Sequence, residues 1–224
     1  MAIKPLYLLA DSQLLFWKEG DRFFAREIRE ETGSANPQAA YIGASNGDQP
    51  EFYALFQSAM EGIGVSNCRM IPWDLSKEDE MFLTDADIVL LAGGDVQRGW
   101  RTIEQNGVKD LLMRKRYDGA VFAGVSAGAV QLGRGDTPET GSEEVLKLFG
   151  FAPFYIGAHE EQDDWQHLRR LVELSPEDEI FGIGISRGGG AIYGPDGSLA
   201  PVRRPLTEFS KKGAQITEKL VLPE

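Results

Sequence analysis

The segment Gly124-Val125-Ser126-Ala127-Gly128 limits what this chain can fold into more than any other. It follows an apolar run at residues 120–123 and leads into small residues that can open a helix, which makes a strand, a tight turn and a helix in succession. A serine at such a turn takes a strained backbone conformation. Glycines two residues to either side are needed because side chains there would collide with the neighbouring strand or helix. The Ser126 hydroxyl would then project into a cleft. Free serine is too weakly acidic to attack a carbonyl, so the hydroxyl needs a base, and N–H groups at the helix start favour a developing oxyanion. The alternative is a glycine-rich turn with a capping serine, a common device in doubly wound folds.

Strands and helices alternate before this turn. Residues 6–10, 39–44, 68–71 and 86–92 read as strands, and residues 21–31, 50–62, 96–106 and 109–117 as helices. Parallel neighbours need crossover connections, so the pattern predicts a mostly parallel sheet covered on both faces. Ligands bind at the C-terminal ends of such strands, where both Gly93-Gly94-Asp95 and Ser126 fall. Beyond Ser126 the chain is polar and turn-rich over 130–145, then apolar from Leu146 into His159. A helix is expected over 163–174 and a strand over 179–185. Residues 190–193 and 198–202 form a hairpin across Pro195-Asp196-Gly197, and one more strand falls near 214–217.

A chain of 224 residues is long enough for one large core and is expected to be one domain, 1–224. Its net charge of -12 argues against nucleic acid and anionic membranes as partners, because such a surface repels polyanions. The densest basic groups, Arg114-Lys115-Arg116 and Arg203-Arg204, read as a helix end and a solvated loop. The single Cys68 allows no intrachain disulfide, and the N-terminus lacks a long apolar signal core, so the expected compartment is the cytoplasm. No apolar stretch approaches the roughly 20 residues that cross a bilayer. A monomer or homodimer is expected, without cofactor or metal.

The chain has two histidines that could serve Ser126. His159 stands at a strand end, where a hydrogen-bonded structural role is the alternative. His167 lies mid-helix among Gln166, Leu168 and Arg169, where it reads as a surface residue. A carboxylate is expected to orient the imidazole, and Asp136, Glu139, Glu143 and Glu144 lie between Ser126 and His159.

Gly124-Val125-Ser126-Ala127-Gly128-Ala129, preceded by Leu91-Ala92-Gly93-Gly94-Asp95 and followed by the apolar lead into His159, resembles the dipeptidase E and cyanophycinase family of serine peptidases. Ala40-Tyr41-Ile42-Gly43-Ala44-Ser45 and Gly182-Ile183-Gly184-Ile185 extend the resemblance over most of the chain. It implies a three-layer α/β/α sandwich with a mostly parallel central sheet, related to the class I glutamine amidotransferases with serine in place of cysteine. It also implies that Ser126 is the nucleophile and His159 its base, with Gly94 and Ala127 giving backbone N–H groups to an oxyanion hole. Gly135-Asp136-Thr137-Pro138 resembles the segment that holds the family's acidic residue, which favours Asp136 as third member of a triad.

The implied substrate is a short peptide, foremost a dipeptide with an N-terminal aspartyl residue. A cyanophycinase-like or isoaspartyl peptidase, or a non-catalytic binding module of the same fold, are the alternatives. An acidic substrate of so acidic a protein needs a local cation, and a guanidinium grips a carboxylate bidentately. Arg134, Arg170 and Arg187 are the candidates, with Arg170 favoured by its likeness to a cyanophycinase Arg-Leu pair.

Overall fold

The computed structural model describes residues 2–138 and 142–223. The chain begins with β1 (Leu6–Leu9), a ribbon of β2 (Lys18–Glu19) and β3 (Arg22–Phe23), α1 (Ala25–Thr32), β4 (Gln38–Ile42) and α2 (Pro50–Gly62). It continues through β5 (Asn67–Ile71), α3 (Lys77–Asp85), β6 (Ile88–Leu91), α4 (Val96–Gln105), α5 (Val108–Tyr117), β7 (Val121–Val125) and α6 (Ala127–Leu132). The last third holds a ribbon of β8 (Gly135–Asp136) and β9 (Leu146–Lys147), then β10 (Tyr155–Ala158), α7 (Gln166–Leu174) and β11 (Glu179–Ile185). It ends with β12 (Gly190–Tyr193), β13 (Leu199–Val202), β14 (Leu206–Lys212) and β15 (Gln215–Val221).

The central sheet runs β13-β12-β1-β7-β6-β4-β5. Its five strands from β1 to β5 pair in parallel, and the β12–β13 hairpin adds an antiparallel edge. Strand periodicity divides the side chains between two cores. Leu6, Leu8, Ala40, Ile42, Val89, Leu91 and Phe122 face one, under α3 to α6. Tyr7, Leu9, Tyr41, Ile88, Leu90, Val121 and Ala123 face the other, under α1 and α2. This is the mostly parallel α/β sandwich expected from the strand and helix alternation.

A second sheet, β10-β11-β14-β15, extends one layer. Ile156, Ile183 and Ile185 project from it into the α3 to α6 core, and its other face is covered by Trp165, which caps α7, and by Leu168, Leu171 and Val172 of that helix. Trp165 lies over Gly184, and Leu168 and Val172 lie over Gly182, which together account for the Gly-Ile-Gly-Ile pattern of β11. Strand β14 had no counterpart in the sequence reading, and β15 is longer than the expected 214–217. Among the described residues no helix is long and apolar enough to cross a membrane.

The nucleophile-like turn is built on backbone contact. A Cβ on Gly128 would stand 2.1 Å from the Leu91 carbonyl oxygen, and one on Gly124 would stand 2.5 Å from the Gly128 carbonyl. Strands β6 and β7 and helix α6 therefore touch through main chain, and neither glycine tolerates a side chain. The Gly128→Ala variant is expected to lose about 3 kcal/mol of stability by overpacking. Calorimetry should register that as a fall of roughly 6–12 °C in Tm.

Candidate active site

Ser126 joins β7 to α6 with φ 50° and ψ -113°, a conformation costly for a residue other than glycine. Main-chain bonds hold it there. Its N–H donates to the Leu9 carbonyl at 2.8 Å, and its own carbonyl accepts from Ala129 and Val130 at 2.9 and 3.1 Å. The strain leaves the side chain half-buried and facing a cleft at the C-terminal ends of the parallel strands.

His159 follows β10 directly. Its φ is 51°, and its N–H donates to the Ile185 carbonyl at 2.9 Å, so the second sheet fixes its backbone. The imidazole Nε2 lies 2.8 Å from Ser126 Oγ. Serine and histidine thus meet across 33 residues of sequence and from two different sheets.

Beside them, Gly93 and Gly94 close β6. Gly94 has φ 139°, and a Cβ on it would lie 2.2 Å from the Ser45 carbonyl oxygen, so the turn rests against the loop after β4. The buried Gln131 of α6 ties the same parts together, donating from Nε2 to Ser45 Oγ and to the Val96 carbonyl, both at 3.0 Å. Asp95 N–H donates to the Ser45 carbonyl at 2.9 Å, and the Arg98 guanidinium donates to that same oxygen. Among the described residues, no acceptor takes the N–H of Gly94 or of Ala127. Two unspent donors therefore flank the cleft, one on the glycine turn and one at the start of α6.

The cleft has a volume of about 480 Å³, the size of a small-ligand site. Ser126, His159, Gly93 and Gly94 form one end, and Leu15, Tyr41, Phe52, Leu55 and Phe56 form an apolar wall. Phe52 and Leu55 are exposed on α2 because they face this opening and not the core. Among the described residues Arg98 is the one arginine or lysine in the lining.

Asp136 is not hydrogen-bonded to His159. Its buried carboxylate accepts from His167 Nε2 at 2.5 Å, from Gln97 Nε2 at 3.1 Å and from the Thr137 N–H at 2.9 Å. Among the described residues the only side-chain hydrogen bond of His159 is with Ser126. Glu143 pairs with Arg170 at 3.6 Å, Glu144 is exposed on its loop, and Glu139 lies outside the described residues. His167, read from sequence as a surface residue, is half-exposed and anchored by its ring.

The three arginines named from sequence also lie elsewhere. None of them lines the cleft. Arg134 is paired with Glu177, and Arg170 meets Glu173 at 3.4 Å, while Arg187 opens onto a separate groove. Sequence reasoning passed over Arg98 because it sits in the first turn of an amphipathic helix, a position that reads as solvated surface. The signal available was its place three residues after the N-cap Asp95, next to the Gly93-Gly94 turn.

The model of peptidase family S51 matches residues 7–192. The chain belongs to that family and is a serine-type peptidase. It is similar in fold to a peptidase from an acI-B1 Actinobacterium, with 16% identity, a TM-score of 0.72 and 97% of each chain covered. A peptidase E protein from Listeria monocytogenes EGD-e shares 16% identity, with a TM-score of 0.57 over 99% of this chain and 100% of the other. No curated protein matches the sequence.

The hydrogen bond that His167 donates to Asp136, with the negative charges of Asp136 and Glu160, holds the imidazole pKa above its usual value against the opposing effect of burial. A raised histidine stabilises the fold fully below its unfolded value of 6.5, and the contribution disappears as pH rises through the folded value. Thermal melts from pH 6 to pH 9 should show a decline in Tm over that window which the His167→Gln variant lacks.

Proposed function

We propose that the protein hydrolyses short peptides through an acyl-enzyme on Ser126, with His159 as general base and acid. The 2.8 Å approach of Ser126 Oγ to His159 Nε2 inside the cleft is the observation that carries this reading. Nε2 takes the hydroxyl proton as Oγ bonds to the scissile carbonyl carbon, and the carbonyl oxygen becomes an oxyanion. The free N–H groups of Gly94 and Ala127 are the donors proposed for it, each worth roughly 3 kcal/mol in such a role. The tetrahedral adduct collapses with cleavage of the carbon–nitrogen bond, and His159 returns its proton to the leaving nitrogen. Water, deprotonated by the same histidine, then releases the acyl group.

Asp136 enters this scheme through His167 and the polypeptide around residues 159–167, as a positioning residue rather than a direct partner of His159. The Ser126→Ala and His159→Ala variants are expected to lose at least about 10⁴-fold in kcat/KM while still folding. Asp136→Asn should lose less than about tenfold and His167→Ala likewise. A loss for Asp136→Asn as large as that for His159→Ala would restore it to a triad.

An aspartyl residue before the scissile bond is the substrate preference proposed. The support is Arg98, a lone fixed guanidinium at the rim of a cleft in a protein of net charge -12. Aspartyl anilide should exceed its asparaginyl and leucyl analogues by about 100-fold in kcat/KM, the worth of a charged hydrogen-bonded pair. Arg98→Met should erase that difference. Equal rates on all three in the unaltered enzyme would leave the peptidase chemistry intact and remove the aspartyl preference.

A further inference from the structure

A second groove lies next to the catalytic cleft, lined by Gln13, Arg187, Gly188, Arg203, Arg204 and Leu220. Three guanidinium groups share it in a chain with 35 acidic and 23 basic residues. Arg203 is anchored, with Nη1 donating to the Gly188 carbonyl at 3.3 Å and its guanidinium 6.0 Å from the Trp17 ring centre. Arg187 and Arg204 are exposed, and among the described residues neither side chain has an ion pair or hydrogen bond. Among the described residues the one carboxylate lining the groove, Glu161, already accepts the Arg187 backbone N–H at 3.2 Å.

The partition between cleft and groove is thin. Asp11 lines the cleft, yet its Oδ2 accepts from the Gly188 N–H at 2.6 Å and its Oδ1 from the Gln13 N–H at 2.9 Å. Ala10 N–H donates to the Gly189 carbonyl at 3.0 Å. Both carboxylate oxygens of Asp11 are thus engaged by main-chain donors of the groove wall.

The direction in which substrate leaves follows from the histidine. A base that returns its proton to the leaving nitrogen must stand on the leaving side of the scissile bond. The His159 N–H is bonded to the Ile185 carbonyl, and residues 186–189 follow that position at once, so the loop that carries Arg187 begins on the histidine's side of the cleft.

We infer that the groove is a subsite for carboxylates of the leaving portion, and that the preferred peptides carry acidic residues after the scissile bond. The inference rests on the peptidase reading of Ser126 and His159. Arginine suits the task because its planar fork takes a carboxylate through two parallel hydrogen bonds. Arg187 and Arg204 supply the free forks, and Arg203 holds the loop that presents Arg187.

The test compares aspartyl-glutamyl-glutamate with aspartyl-glutaminyl-glutamine on the full chain and on an Arg187→Gln, Arg204→Gln double variant. The unaltered enzyme is expected to favour the acidic peptide about tenfold in kcat/KM, mainly through KM, as suits partly solvated ion pairs. In the double variant the ratio should fall to near one, and 1 M salt should lower it in the unaltered enzyme by screening. A ratio near one in the unaltered enzyme, or a tenfold ratio that survives the double variant, overturns the subsite. Calorimetric titration of the Ser126→Ala protein with the same two peptides separates this from the catalytic reading. Tenfold tighter binding of the acidic peptide, lost with both arginines, upholds the subsite even if neither peptide is cleaved, and equal binding of the two overturns it.

Discussion

Direct main-chain contact between β6 and the start of α6 is the constraint on which the site depends. With no side chain at Gly128, the helix sits on the Leu91 carbonyl, and with none at Gly124 the strand sits on the helix. The turn between them is then too short for relaxed geometry at Ser126, so the serine takes a left-handed φ. That lifts its side chain clear of the sheet, and the first helical N–H remains without an intrahelical partner. The same closeness brings Gly93 beside Ser126, since a Cβ there would lie 3.3 Å from the serine Cβ. A strained serine at the head of a helix, close beside Gly93, follows from two missing methyl groups.

Much of this was legible because it is local. Alternating apolar runs and amphipathic helices located β1, β4, β6, β7, α2, α4 and α5, since buried parallel strands are apolar on both faces. The Gly-x-Ser-x-Gly spacing located the elbow, and a search among two histidines located His159. The second sheet was harder. Strand β15 is largely exposed and β14 mixes Leu206 and Phe209 with Glu208, Lys211 and Lys212, so neither offers the periodicity that marks a buried strand. The partner of Asp136 depended on where α7 packs, a long-range outcome that sequence spacing does not encode. Chain order places Asp136 well for His159, yet the docking of α7 delivers His167 to it instead.

Charge behaved in the same way. Arg114-Lys115-Arg116 read as a helix end and lies in the last turn of α5, where Arg116 is buried, donates to the Lys4 carbonyl at 2.6 Å, and lies 5.8 Å from the Phe151 ring centre. Burial lowers its pKa to about 10. Arg203-Arg204 kept its solvated character and gained significance from the loop it borders. In so acidic a chain, the position of each arginine is set by which carboxylates and carbonyls the fold leaves within reach, and Arg134 and Arg170 were taken up by Glu177 and Glu173.

The serine belongs to the central sheet and the histidine to the second one, and their atoms are kept 2.8 Å apart by side-chain packing between the two sheets and by a few main-chain bonds at its edge, such as Arg134 N–H to the Phe154 carbonyl. Ile156, Ala158, Ile183 and Ile185 are the teeth of that joint. Hydrogen bonds within each sheet resist heat as a set, whereas a joint of interlocked side chains can slip by an ångström while both sheets stay whole. Warming should accordingly disable such an enzyme while its secondary structure is still intact, with the failure beginning at the seam.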